Sequence, residues 1–414
     1  METLNVYLLG KLAGFLESEK GKLSFRYSPE YLNDSSATPL SFTMPLQEDA
    51  FDNTITSVFF DNLLPPDIVR KKLGKILHLS RRNIFGFLKA IGGDCAGAVS
   101  LYPSEADENN HSMTAPQLRE LSETEAIEIL TELPKRPLNL GKEVGFRISG
   151  TGAQDKLIAC VKDGKIQLPL YGEPSTHIIK PPIKEYSNSV YNEFFCMRLA
   201  EKLNFPVPQC ELLFLNGIPY YYVVRYDRKH NKDSISRLHQ EDFCQLFSID
   251  PENKYEIEGG PTIPVCFNLI KRMHIGIAGQ LDFIRRIIFN FLIGNGDAHA
   301  KNYSVLYKGK SVKLAPMYDL LCTEIYNNLS RELAMSIGNE FAFNAISRKS
   351  FQQMAYDCKI RPEIVDAQID DITSKIIPIT EGLVEELNEI YPNSVYSEIL
   401  QIIKRNIIQL TKDN

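Results

Sequence analysis

The residues best suited to chemistry in this 414-residue chain lie in one short run, Gly294-Asn295-Gly296-Asp297-Ala298-His299-Ala300-Lys301-Asn302. Its two glycines let the backbone turn and present polar side chains, so the run reads as a loop. An aspartate followed five residues later by an asparagine is the spacing with which phosphoryl-transfer sites pair a proton acceptor with a metal ligand. Asp297 would accept or orient the proton of a substrate hydroxyl, and the amide oxygen of Asn302 would hold Mg²⁺. Read alone, the same run serves equally as a polar loop in which Asp297 caps a turn and Asn302 takes a tight-turn conformation.

Neighbouring segments favour the chemical reading. Leu314-Ala315-Pro316-Met317-Tyr318-Asp319 is an apolar approach ending in a carboxylate, which suits a second oxygen ligand for Mg²⁺ on a triphosphate. Thr176-His177-Ile178-Ile179-Lys180 ends a β-branched strand on a lysine able to reach α- and β-phosphates, and Glu193 on the following helix is a charge partner for it. Arg147-Ile148-Ser149-Gly150-Thr151-Gly152-Ala153-Gln154-Asp155-Lys156 contains glycines that would let backbone N–H groups approach phosphate oxygens, although it matches no standard phosphate-loop pattern. In the run Tyr220 to Asp227 a strand passes into charged residues, and Val224, Arg225 and Tyr226 could offer backbone groups to adenine.

These residues need elements to hold them. Asn5–Leu9, Leu12–Glu17 and Leu23–Tyr27 alternate apolar and polar residues between glycine turns, which predicts a β-meander, and Ser57–Leu64 and Asp67–Leu77 read as helices with Pro65-Pro66 before the second. Ser122 and Glu125 have capping-box spacing for a helix over Ser122–Leu133. Lys156–Val161, His177–Lys180, Cys210–Leu215 and Tyr220–Arg225 read as strands, with a helix over Ser189–Leu203. Beyond His239 the pattern turns helical. There Phe283/Ile284, Ile287/Ile288 and Phe291/Leu292 recur every four residues and make one apolar helix face. The expected organisation is an N-terminal α+β subdomain over 1–105, a linker with a short helix over 106–140, a sheet with the phosphate loop over 141–238, and a helical lobe with the catalytic loop over 239–414. The acidic run Asp107-Glu108-Asn109-Asn110 marks the linker.

Composition sets bounds. Hydrophobic residues are 43% and charged residues 24% of the chain, which suits a folded globular protein. A net charge of −6 gives no global attraction to nucleic acid, and the cationic run Arg70, Lys71, Lys72, Lys75, Arg81 and Arg82 reads as a solvated helix face. Eight dispersed cysteines without CxxC spacing point to reduced, buried thiols in a cytoplasmic setting. The most apolar stretch, Phe283–Ile293, is interrupted by Arg285 and Arg286 and is shorter than the about 20 apolar residues needed to span a membrane.

Taken together, Ile148–Lys156, Thr176–Pro181, Asn192–Val207, Arg237–Pro261, Ile293–Ser304 and Leu314–Leu321 resemble the HipA family of toxin kinases in residues, order and spacing. The runs Arg-Leu-His-Gln-Glu-Asp-Phe-Cys-Gln and Lys-Tyr-Glu…Gly-Gly-Pro are the most specific. Phe42–Leu46 and Phe60–Pro65 resemble that family's first subdomain. The resemblance implies an α+β, two-lobed protein-kinase-like fold with ATP and Mg²⁺ between the lobes. It also implies Asp297 as catalytic base with Asn302, and Asn302 and Asp319 as metal ligands. Lys156, Lys180, Gly150, Thr151, Gly152, Ala153, Val224, Arg225, Tyr226, His299, Lys301, Asn302 and Asp319 form the nucleotide-contacting set, with Glu193 and Gln240 beside it. It implies regulatory phosphorylation at Ser149, a helix-turn-helix antitoxin partner that carries the kinase to operator DNA indirectly, and a protein substrate such as an aminoacyl-tRNA synthetase. The sequence departs from the family in reading Gly150-Thr151 where a small apolar pair is usual and Gly296 where a threonine often precedes the aspartate.

Three other readings fit parts of the pattern. The Asp…Asn…Asp set serves a small-molecule phosphotransferase equally, a catalytically inactive corepressor would keep the fold alone, and Asp297, His299 and Asp319 could form a hydrolase's metal site, although a second histidine at ligand spacing is missing.

Overall fold

The computed structural model describes residues 2–104, 116–232, 234–309 and 311–411. Asp107-Glu108-Asn109-Asn110 lies outside them. The chain forms two compact units: unit 1 takes Met1–Pro181, Leu213–Glu252 and Leu306–Ser311, and unit 2 takes Pro182–Leu212, Asn253–Val305 and Val312–Asn414.

Unit 1 is built on two sheets. The first has the order Lys22–Tyr27, Lys11–Glu19, Glu2–Leu8, Val99–Pro103, all antiparallel, so the expected meander is closed by a fourth strand returning from residue 99. Alternation in Lys22–Tyr27 buries Leu23, Phe25 and Tyr27 and leaves Lys22 and Arg26 in water, the period-two pattern of a half-buried strand. The second sheet has the order Gln117–Glu120, Lys165–Leu170, Leu157–Lys162, His177–Lys180, Ile218–Val224, Cys210–Leu215. One hydrophobic core runs from Leu4 to Tyr220 across both sheets, so residues drawn as separate segments 1–105 and 141–238 share it.

The helix expected over Ser57–Leu64 instead spans Asn53–Asp61, because the Asp52 carboxylate accepts the Thr54 and Ile55 N–H groups and fixes an earlier start. The helix Glu123–Glu132 carries the expected capping box between Ser122 and Glu125. The cationic run is not wholly a solvated face: Arg70 is buried and pairs with Asp61 at 2.6 Å.

Behind the second sheet lies a buried ionic cluster that the sequence pattern does not announce. Asp94 pairs with Arg228 at 2.7 Å, Arg237 at 3.0 Å and Arg225 at 3.4 Å, and accepts the Ser175 hydroxyl at 2.5 Å. Asp227 takes Arg225 at 2.7 Å and Arg228 at 3.0 Å, and accepts the Gly97 N–H. Charges removed from water need this degree of mutual satisfaction to be tolerated.

Unit 2 is mostly helical, with Ser189–Lys202, Ile263–Arg272, Ile277–Leu292, Arg348–Asp357, Pro362–Ile390 and Val395–Thr411. All six apolar residues of the predicted stripe, Phe283 through Leu292, are buried, packed against the two C-terminal helices and Ile263–Arg272. The region beyond His239 is less uniformly helical than its pattern suggests. Glu332–Ile337 and Glu340–Ala342 pair as antiparallel strands, and the first is buried at five consecutive positions, so it shows no alternation. All eight cysteines are buried, and none of them forms a disulfide among the described residues. No helix among the described residues is long and apolar enough to cross a membrane.

Asp94→Ala should destabilise unit 1 by about 3–5 kcal/mol, the range for removing one partner of a buried ion pair, read as a shift in the urea unfolding midpoint. Burial opposes ionisation of Asp94, but the guanidinium groups of Arg228, Arg225 and Arg237 outweigh it and hold the carboxyl below the usual carboxylate range. A depressed carboxylate stabilises the fold above its unfolded value of about 3.9 and loses that contribution as pH falls below it. The gap between wild type and Asp94→Ala should therefore narrow on acidification from about pH 5 to about pH 2; a constant gap would count against an ionic origin.

Candidate active site

The helix Ile277–Leu292 ends where its apolar stripe ends, and its last carbonyls are met from elsewhere in unit 2: Asn406 Nδ2 donates to the Phe291 and Leu292 carbonyl oxygens at 3.0 and 3.3 Å. Gly294, with φ of +71°, then turns the chain away. A Cβ at this position would stand 2.9 Å from Ile402 Cγ2, 3.0 Å from Glu324 Oε2 and 3.2 Å from Cys322 Sγ. Both the dihedral and the space exclude other residues.

From there the loop is held by hydrogen bonds within itself and to its surroundings. Asn295 is buried; its Nδ2 donates to Asn290 Oδ1 at 2.8 Å and its Oδ1 accepts the Asp297 N–H at 3.1 Å. Gly296 N–H donates to Thr323 Oγ1 at 2.8 Å, and a Cβ on Gly296 would meet the Glu332 carbonyl oxygen at 2.8 Å. That close approach accounts for the glycine at this position. The Asp297 carbonyl accepts the His299 N–H at 2.8 Å and Asn302 Nδ2 at 3.0 Å. Fixing the Asn302 amide nitrogen in this way turns its oxygen to the opposite side, where a hard cation can use it.

Asp319 arrives by a separate route. Arg286, buried, donates to the Ala315 carbonyl at 2.7 Å, and Met317 N–H donates to the Pro206 carbonyl at 2.7 Å. The Tyr318 hydroxyl donates to the Lys301 carbonyl at 2.7 Å and lies 2.6 Å from Ser304 Oγ, tying this segment to the end of the loop that carries Asp297 and Asn302. Asp319 itself is left-handed, with φ of +59°, a conformation that costs residues other than glycine roughly 1–2 kcal/mol. Asn302 and Asp319 line one small concavity with Asn290, Asn295 and Tyr318. Their donor set, one amide oxygen and one carboxylate, fits Mg²⁺ sharing its remaining positions with phosphate and water.

Asp297 lies near Asp319. Burial raises its carboxyl above the ordinary value, the Tyr255 hydroxyl and the charge of Lys254 pull it down, and the Asp319 carboxylate pushes it up. The Tyr255 hydroxyl donates to Asp297 Oδ1 at 2.6 Å. His299 is buried, and its Nδ1 has no hydrogen-bond partner among the described residues. Burial holds its imidazole at about 3, so the ring is neutral near pH 7 and offers a donor or acceptor but no charge. Among the described residues no three His, Cys, Asp or Glu side chains are grouped to hold a metal, so a hydrolase centre on Asp297, His299 and Asp319 is not assembled.

The remaining candidates belong to unit 1, apart from Lys301, on the catalytic loop, and Glu193, which is buried on the unit 2 helix Ser189–Lys202. Gly152 and Ala153 are exposed at the tip of the phosphate loop, next to Thr151, while Lys156 is buried and donates back into the loop, to the Gly152 carbonyl at 3.0 Å and the Gln154 carbonyl at 2.6 Å. A Cβ on Gly150 would stand 2.7 Å from Ile158 Cδ1, the movable end of a side chain. Ser149 is 2% exposed, and its hydroxyl donates to the Leu63 carbonyl at 2.5 Å. Lys180 is buried, its Nζ 5.7 Å from the centre of the Tyr221 ring. Val224 pairs with His177 in the sheet, and Arg225 N–H donates to the Thr176 carbonyl at 2.8 Å. The Arg225 guanidinium is committed to Asp227, Asp94 and Ser175. Tyr226 follows on the same connector, and Gln240 packs across Gly97. Sequence reasoning gave no role to Tyr255, Asn295, Thr323 or the Asp94 cluster. The one available signal was the specific Lys254-Tyr255-Glu256 run.

Comparison with known proteins shows the family. The family model of the HipA-like C-terminal domain matches residues 148–378, and that of the HipA N-terminal domain matches residues 4–102. Y4mE of Sinorhizobium fredii, which carries a kinase name, is 36% identical over 398 residues, 95% of this chain and 94% of that one. The serine/threonine-protein kinase toxin HipA of Shewanella oneidensis is 31% identical over 348 residues, 79% of this chain and 78% of its own. A solved structure of Shewanella oneidensis HipA, in a complex with HipB and operator DNA, superposes with a TM-score of 0.87 at 25% identity, covering 99% of this chain and 97% of that one. The fold is thus α+β and protein-kinase-like, and the chain belongs to the HipA family of kinases.

Proposed function

We propose that the chain is a serine/threonine protein kinase that uses ATP and Mg²⁺ and acts as the toxin of a toxin–antitoxin pair. The observation that carries the reading is the convergence in unit 2 of two oxygen ligands, Asn302 and Asp319, on one concavity, with Asp297 presented from the same loop. The substrate hydroxyl oxygen attacks the γ-phosphorus as its proton passes to Asp297, and the bond from the γ-phosphorus to the β–γ bridging oxygen breaks to release ADP. Mg²⁺, when bound by Asn302 and Asp319, neutralises charge on the phosphate oxygens. Lys156 and Lys180 are assigned to phosphate contacts, and the neutral His299 to a hydrogen bond with the nucleotide.

Regulation is assigned to Ser149. Its hydroxyl occupies a buried position against the Leu63 carbonyl. A phosphate there replaces a donor with acceptor oxygens and adds nearly two negative charges, so the phosphorylated loop must leave that position. The partner is assigned as a helix-turn-helix antitoxin. A net charge of −6 suits contact with operator DNA through that partner rather than directly. Aminoacyl-tRNA synthetases are the substrate class suggested by family resemblance.

Two experiments test this reading. Expression of wild type should arrest growth and transfer label from γ-labelled ATP to protein in extract, and Asp297→Ala should lower transfer by about 100-fold or more, the scale of a lost general base, and relieve arrest. Equal toxicity of the two would exclude phosphoryl transfer as the basis of action, and label confined to metabolites would exclude a protein substrate. After incubation with ATP, mass spectrometry should place a phosphate on Ser149 as activity decays, with Ser149→Ala keeping its activity longer. Decay at the same rate in both would remove the regulatory assignment.

A further inference from the structure

A carboxylate works as a base only if one oxygen lone pair is aimed at the hydroxyl it relieves, and the hydrogen bonds within the loop fix the backbone of Asp297 rather than its side chain. The carboxyl group can still turn about its two side-chain torsions. The contact that stops it comes from 42 residues earlier in the chain, the 2.6 Å hydrogen bond from the Tyr255 hydroxyl to Oδ1. On the kinase reading above, we infer that Tyr255 is the positioning residue of the reaction, holding Oδ1 of Asp297 so that Oδ2 faces the substrate hydroxyl.

Tyr255 is itself held through its backbone and its ring. Its carbonyl accepts the Glu258 N–H at 3.0 Å and the Gly260 N–H at 2.8 Å, and a Cβ on Gly260 would meet that carbonyl oxygen at 2.7 Å. The next residue, Glu256, is clamped by Ser336, whose N–H donates to Oε2 at 2.7 Å and whose hydroxyl donates to Oε1 at 2.8 Å. The ring stands edge-on to His299 at 5.1 Å, and the Lys254 ammonium lies 5.1 Å from its centre. Ala300 N–H, inside the catalytic loop, donates to the Lys254 carbonyl at 3.3 Å. The Tyr255 segment and the loop are therefore registered by backbone as well as by side chain. Burial and the neighbouring Asp297 charge keep the phenol protonated, so it acts only as a donor to that carboxylate. A tyrosine needed merely to fill space would not require its hydroxyl, which separates the two roles.

The test uses the full chain with Tyr255→Phe, Asp297→Ala and the double variant. Tyr255→Phe should lower kcat by roughly 10- to 100-fold, the span of one hydrogen bond to a charged group. The KM for ATP and the melting temperature should stay close to wild type. In the Asp297→Ala background the same substitution should change nothing further, because its effect passes through Asp297. A crystal structure of Tyr255→Phe should show the Asp297 carboxylate turned from its wild-type orientation. Activity within twofold of wild type, an equal loss in both backgrounds, or an unmoved carboxylate would overturn the inference and leave the kinase reading intact. A wild-type chain that transfers no phosphate would overturn both.

Discussion

A side chain at position 294 has nowhere to go, and the candidate site follows from that fact. The helix Ile277–Leu292 is committed to its place by a buried apolar face, and its direction alone would carry the chain on past the reactive groups. The left-handed turn at Gly294, closed in by Ile402, Glu324 and Cys322, converts that direction into a loop whose first polar residue, Asn295, is buried and bonded on both sides. Packing of unrelated elements thus sets the geometry of the polar groups. The strain at Asp319 belongs to the same economy: a left-handed aspartate persists because Tyr318 and Met317 on its approach are held by hydrogen bonds.

Unit 1 solves a different problem by different means. There the segments around Asp94, Ser175, Arg225–Arg228 and Arg237 are joined by charge instead of by side-chain volume. Such a cluster adds little net stability over an apolar equivalent, but it penalises every arrangement that leaves one member unpaired. The phosphate loop begins directly from it, since Ser149 N–H donates to the Asp94 carbonyl at 3.0 Å. The base of that loop is therefore anchored even though its tip is exposed.

What the sequence made legible was local. The five-residue spacing of Asp297 and Asn302 could be read because both sit on one loop whose internal hydrogen bonds are short in sequence. The four-residue recurrence in Phe283–Leu292 and the capping box at Ser122 are of the same kind. What stayed hidden depends on distance along the chain. Tyr255 is an ordinary tyrosine until folding brings it to Asp297, and Asp94 lies about 130 residues from the arginines that make its burial tolerable. The early start of Asn53–Asp61 was missed for a smaller reason, that Asp52 was not weighed as a cap. The strands Glu332–Ile337 and Glu340–Ala342 form a two-stranded sheet, the first buried at five consecutive positions and the second three residues long, so neither shows alternation. The glycine at position 296 is a matter of available space, since a Cβ there would meet a backbone oxygen, and nothing in the structure explains the glycine at position 150.

The burial of every cysteine bears on how motion in this chain can be observed. A thiol reacts as its thiolate, and burial pushes Cys95, Cys322 and Cys358 up to about 12 and Cys160 up to about 11. The native thiols of the folded chain should accordingly react slowly with maleimide and iodoacetamide reagents. One cysteine introduced at the exposed Ala153 would be the sole reactive handle, and a fluorophore or spin label there would report on the phosphate loop without removal of any native thiol.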